Sequence, residues 1–90
     1  MRLDVFLNAC RLVKRRSEAK RACDNGIVAV DGQVAKAGRE LHVGQCVCIA
    51  FVDRMIEIEV VALPRGNVSK RDAPAFYRVV REEVRESEFI

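Results

Sequence analysis

The chain has 90 residues, a formal net charge of +3 and 50% hydrophobic residues, which is enough for one small domain with a real core. Trp is absent and aromatics make up only 6%, so that core must be built from Leu, Val, Ile and Ala. No apolar run approaches the length of a membrane span, and Met1-Arg2 leads at once into a charged amphipathic segment, unlike a secretory signal. The four cysteines, Cys10, Cys23, Cys46 and Cys48, contain no Cys-x-x-Cys and read as reduced thiols of a cytoplasmic protein rather than a disulfide framework.

Leu3, Phe6, Leu7 and Cys10 recur at helical spacing and predict a first short helix, with Asp4 in the first turn where a carboxylate suits the helix dipole. Ser17 reads as the N-cap of a second helix, with Glu18 just inside it. Ala19, Ala22 and Cys23 form its narrow buried face, and Asn25-Gly26 ends it. From Ile27 the period changes: Ile27–Val30 is a strand run, Asp31-Gly32 a hairpin signal, and Gln33–Ala35 the return. Residues 37–40 read as a loop and 42–45 as a turn. Cys46–Phe51 and Met55–Val61 are strands, the second placing Glu57 and Glu59 toward water, and Pro64 stops it.

Residues 65–75 are polar and loop-like. Phe76–Val80 reads equally as a last strand or a helix start, and the acidic residues beyond it as a frayed helix or a tail. The expected architecture is α+β: two short N-terminal helices packed on a small antiparallel sheet, then a C-terminal tail. The division is residues 1–64 as the domain and 65–90 as loop plus extension.

Catalysis finds little support. The single histidine, His42, lies beside a turn glycine, and Ser17 has no neighbouring base. Cys46 and Cys48 share one face of a strand, where small buried hydrophobes are the default and a zinc site the lesser reading. Neither a metal nor a cofactor is expected.

Charge is the more informative signal. Residues 1–23 carry seven cations against Asp4 and Glu18, a net +5, whereas residues 82–90 carry four glutamates against Arg85. Between Arg11 and Arg21 stand six cations and one carboxylate. Lys14, Arg15 and Arg16 precede a helix start whose amides attract phosphate, and Lys20 and Arg21 continue along that helix. Lys36, after the hairpin, is placed to join them. Leu12 and Val13 must be buried, which anchors the segment. Few Asn or Gln side chains accompany these cations to read base edges, and no aromatic platform is available for stacking. Phosphate recognition by shape remains, and it suits structured RNA. A protein-interaction module for an acidic partner is the rival reading.

The residues also match a known pattern. Arg2-Leu3-Asp4-x-Phe6-Leu7, Arg11-Leu12-Val13-Lys14-Arg15-Arg16-Ser17-x-Ala19-Lys20, and Gly26-x-Val28-x-Val30-Asp31-Gly32 with Lys36 resemble the RNA-binding domain named after ribosomal protein S-four, the αL motif. Val43-Gly44-Gln45 before a strand extends the likeness, which covers roughly residues 1–61. Within the family, the start of the chain, its length and a Pro-Ala-Phe-Tyr stretch are similar to the stand-alone RqcP (YabO) type. The resemblance implies a non-enzymatic, monomeric factor that binds 23S rRNA and tRNA on the 50S ribosomal subunit. It also implies help to an RqcH-type partner that adds alanine to stalled chains. A general RNA chaperone or ribosome-assembly factor would use the same surface. Carried over by position, Arg2, Asp4 and Arg16 lead the expected RNA-binding residues. Lys14, Arg15, Lys20, Arg21 and Lys36 supply further contacts, while Arg11 and Arg39 read as solvated.

Overall fold

A computed structural model describes residues 1–66 and 68–84. Helices α1 (Leu3–Ala9) and α2 (Arg16–Asp24) lead into strands β1 (Val28–Val30), β2 (Gln33–Val34), β3 (Cys46–Ala50) and β4 (Arg54–Val60). A 3₁₀ turn over Ala73–Phe76 then leads into β5 (Tyr77–Val84). The five strands form one antiparallel sheet in the order β2-β1-β3-β4-β5. The α+β architecture expected from the pattern is the one observed.

Strand alternation sorts the sheet into two faces. Val28, Val30, Val47, Ile49, Ile58 and Val60 are at most 1% exposed and form the inner face, against which Leu3, Phe6 and Leu7 of α1 pack without residual exposure. Ala19, Ala22 and Cys23 of α2 complete this core, and their small size lets α2 lie close to α1. Val13 is buried beside them, while Leu12 is half-buried against the same core.

Two positive-φ turns fix the register. Gly26 (φ +76) follows α2 and lets its last carbonyls be met by Asn25 and Ile27 N–H groups. Asp31 (φ +50) and Gly32 (φ +84) turn the β1–β2 hairpin, with Val30 opposite Gln33. The Asp31 carboxylate also accepts from the Cys46 N–H (2.9 Å) and the Gln45 amide (3.1 Å), tying the hairpin to β3.

Three local expectations are corrected. α2 begins at Arg16, with Arg15 as its extended N-cap residue and no side-chain capping bond, so Ser17 is the second helical residue and not the cap. The cause lies upstream: the Asn8 amide holds the Val13 and Lys14 carbonyls (3.4 and 3.2 Å), which finishes the turn early enough for Arg15 to accept the first helical bond, from Ala19. Residues 77–84 form a strand, so Glu82 and Glu83 lie in a sheet and not in a frayed helix or tail. β4 would otherwise expose a row of unpaired backbone groups, and Arg78 on Glu59 (2.8 Å) and Glu82 on Arg54 (3.3 Å) add cross-strand pairs. Glu57 and Glu59 lie on the outer face but are half-buried, partly covered by these neighbours. Residues 85–90, including Glu86 and Glu88, lie outside the described residues. Among the described residues no helix is long and apolar enough to cross a membrane.

Candidate nucleic-acid interface

The start of α1 is fastened to the loop between β2 and β3. Leu3 N–H donates to the Arg39 carbonyl (2.8 Å), Asp4 N–H to Ala37 (3.1 Å), and Leu41 N–H to Met1 (2.9 Å). Two of the first amides of α1, which have no partner within the helix, are therefore satisfied by loop backbone, and the third, Val5, by the Asp4 side chain. The Asp4 carboxylate still has acceptor capacity for other donors. It is 1% exposed and accepts the Val5 N–H (2.9 Å), Arg2 Nε (3.1 Å) and Arg2 Nη2 (3.3 Å), with Arg16 Nε at 3.6 Å.

This geometry has a clear electrostatic result. One buried carboxylate sits behind two guanidiniums whose side chains stay 51% and 58% exposed. Asp4 fixes where Arg2 and Arg16 stand while leaving their outer edges open to a ligand. Arginine suits this use, because its planar fork can bond a carboxylate on one side and a phosphate on another. Ser17 and Lys20 complete a recess of about 360 Å³ around them. Ser17, in the first turn of α2, thus lines this recess and caps no helix.

A second recess, of about 340 Å³, is lined by Arg11, Leu12, Val13, Lys14 and Lys70. Of the residues expected to bind RNA, the first recess collects Arg2, Asp4, Arg16 and Lys20, and the second takes Lys14. Arg15 lies between them at the α2 N-cap. Arg21 is exposed in the last turn of α2, where a cation suits the helix dipole, and lines neither recess. Lys36 lines neither as well, but its loop is the one bonded to the α1 start. Arg11, read as solvated, is exposed and lines the second recess, as does Lys70, which the sequence did not single out; nothing local in residues 65–75 marks Lys70 as a neighbour of the α1–α2 turn.

Two of the cysteines, Cys10 and Cys23, are buried in the core. Burial pushes the Cys10 and Cys23 thiols up to about 11, with the Asp4 and Asp24 charges adding to the effect at Cys23. Both are therefore protonated near neutrality, a poor state for a nucleophile or a metal ligand. Cys48 Sγ lies 3.1 Å from Met55 Sδ on the outer face of the sheet. No group of three or more His, Cys, Asp or Glu that could hold a metal occurs among the described residues.

Comparison with known proteins identifies the family. Residues 1–47 match the S4 domain. The RQC P-site tRNA stabilizing factor of Halalkalibacterium halodurans is 40% identical over 83 residues, covering 92% of this chain and 93% of that protein. The Bacillus subtilis protein of the same name is 34% identical, covering 92% and 95%.

The chain belongs to the S4 domain family, among the RQC P-site tRNA stabilizing factors.

Solved structures agree on the fold. The trimeric Heat Shock Protein 15 of Vibrio cholerae superposes with a TM-score of 0.82 at 27% identity, over 89% of this chain and 81% of that one. The solution structure of hypothetical protein HP1423 gives 0.78 at 30% identity, over 90% and 98%. Family and relatives together support an RNA- and ribosome-associated role, and the relatives' name describes stabilising a tRNA rather than a reaction.

Proposed function

We propose that this protein is a non-enzymatic RNA-binding factor of ribosome-associated quality control. In this reading it docks on the cytoplasmic 50S subunit, contacts 23S rRNA and steadies the P-site tRNA on an obstructed particle. It acts there as a monomer and supports alanine tailing by an RqcH-type factor. The observation that carries the reading is the buried Asp4 carboxylate holding Arg2 and Arg16 outward in an S4 module.

The mechanism is positioning. Cations already fixed before binding lose little freedom when phosphates arrive, so the Coulomb gain is not spent on ordering side chains. The sheet keeps the two helix starts in register, and neither recess needs a reacting group. Arg16→Ala is expected to weaken co-sedimentation with 50S subunits at least ten-fold while leaving the far-ultraviolet circular dichroism unchanged. Undiminished co-sedimentation would refute the assignment of this surface. A pull-down from cells separates the rivals. Recovery of 50S particles bearing peptidyl-tRNA supports the reading, and recovery of assembly intermediates alone would favour a ribosome-assembly factor.

A further inference from the structure

We infer that the second recess is an RNA phosphate site to which the segment beyond the S4 module contributes Lys70. This inference rests on the RNA-binding reading above and extends the contact surface past residues 1–47, where the family match ends. Arg11, Lys14 and Lys70 line it together with the apolar Leu12 and Val13. Among the described residues none of these three cations takes part in an ion pair. Three like charges gathered at one concavity repel one another, and an anion lodged between them relieves that repulsion.

The recess is built rather than accidental. Arg11 is held in the left-handed region (φ +59), which a non-glycine residue occupies at a cost. Its N–H donates to the Asn8 carbonyl (3.0 Å), and those of Leu12 and Val13 both donate to Leu7 (3.0 and 3.1 Å). The Asn8 amide grips the turn from the other side, through the Val13 and Lys14 carbonyls. On the opposite wall, Lys70 lies in a turn closed by Ser69, whose hydroxyl bonds the Asp72 carboxylate (3.0 Å) and accepts the Asp72 N–H (3.2 Å). The nearest acid in sequence, Asp72, bonds Ser69 and forms no ion pair with Lys70.

An RNA backbone is favoured over an acidic peptide by continuity with the first recess. Lys14 and Arg16 are two residues apart, so their Cα atoms lie within roughly 7 Å. Lys14-Arg15-Arg16 makes one unbroken run of cations from one recess to the other. A single RNA strand can follow that run and meet both.

The test uses the full chain with two probes, purified 50S subunits carrying P-site tRNA and free tRNA, titrated at several salt concentrations. Lys70→Ala is expected to weaken binding about three- to ten-fold and to reduce the slope of log affinity against log salt by about 0.7–0.9, the loss of one phosphate contact. Lys70→Arg should restore both. Arg71→Ala, which removes an exposed neighbouring cation that lines neither recess, should change affinity less than two-fold. Equal losses from Lys70→Ala and Arg71→Ala would reduce the site to a diffuse field and overturn the inference. So would wild-type binding that Lys70→Ala leaves unchanged, in which case the functional reading stands. Failure of the wild-type chain to bind either probe would overturn both.

Discussion

The two recesses flanking Lys14-Arg15-Arg16 hold their cations by different means. In the first, a carboxylate at 1% exposure is bonded to Arg2 and paired with Arg16, so part of the positive charge is neutralised from behind. In the second, none of the cations is in an ion pair among the described residues, and the chain is held through the left-handed Arg11 turn and the Asn8 amide. The first arrangement fixes side-chain heads; the second fixes only the chain that carries them. Directional contacts are therefore expected from Arg2 and Arg16, and looser, more salt-sensitive ones from Arg11, Lys14 and Lys70.

Removing Asp4 tests that contrast most severely. Asp4→Asn raises the net charge by one, so a surface acting only through total charge would bind RNA more tightly. A surface acting through placement should bind at least ten-fold more weakly, because Arg2 and Arg16 lose the group that orients them. The substitution also costs about 1–3 kcal/mol of stability, the range for a buried charged hydrogen-bond partner, since the guanidiniums can still reach water. Tighter binding by Asp4→Asn would break the comparison. Next in size is Asn8→Ala, which frees the Val13 and Lys14 carbonyls without touching a cation. It should cost about 1 kcal/mol, read from denaturant midpoints. Affinity should fall a few-fold with the salt slope preserved, because the same contacts form from a less ordered turn.

The same contrast explains what was legible in the residues alone. The α1 stripe, the Asp31-Gly32 hairpin and the cations around α2 are set by neighbours a few positions away, and periodicity reads such relations directly. Asp4 was visible as a dipole-compatible acid, but its two guanidinium partners become apparent only once α1 and α2 pack. The Ser17 cap rule failed because a side chain nine residues earlier, Asn8, decides where the turn ends. Residues 76–80 were ambiguous because their pattern suits both conformations, and pairing with β4 settles it. Lys70 was invisible for a similar reason: its position opposite Arg11 depends on how a polar loop crosses back to the α1–α2 turn.

The smallest effect at neutral pH should come from the thiols in the first two helices and their ends. Cys10 precedes Arg11, and Cys23 lies near enough to Asp4 to feel its charge. Both stand at about 11 in the folded protein against an ordinary 9.0, because burial disfavours the thiolate. A raised folded value means that the native state keeps its proton longer than the unfolded chain. The stabilisation is then complete below pH 9 and is lost as pH rises from 9 toward 11, by about 3 kcal/mol for each thiol. Cys10→Ala and Cys23→Ala should each flatten the fall in denaturant midpoint over that interval and leave RNA binding at neutral pH within two-fold of wild type. Asp4→Asn separates the two thiols: it removes a charge that raises Cys23, so the Cys23 share of the loss should shrink while the Cys10 share stays. Equal changes at both thiols would mean that the Asp4 carboxylate does not act selectively on Cys23.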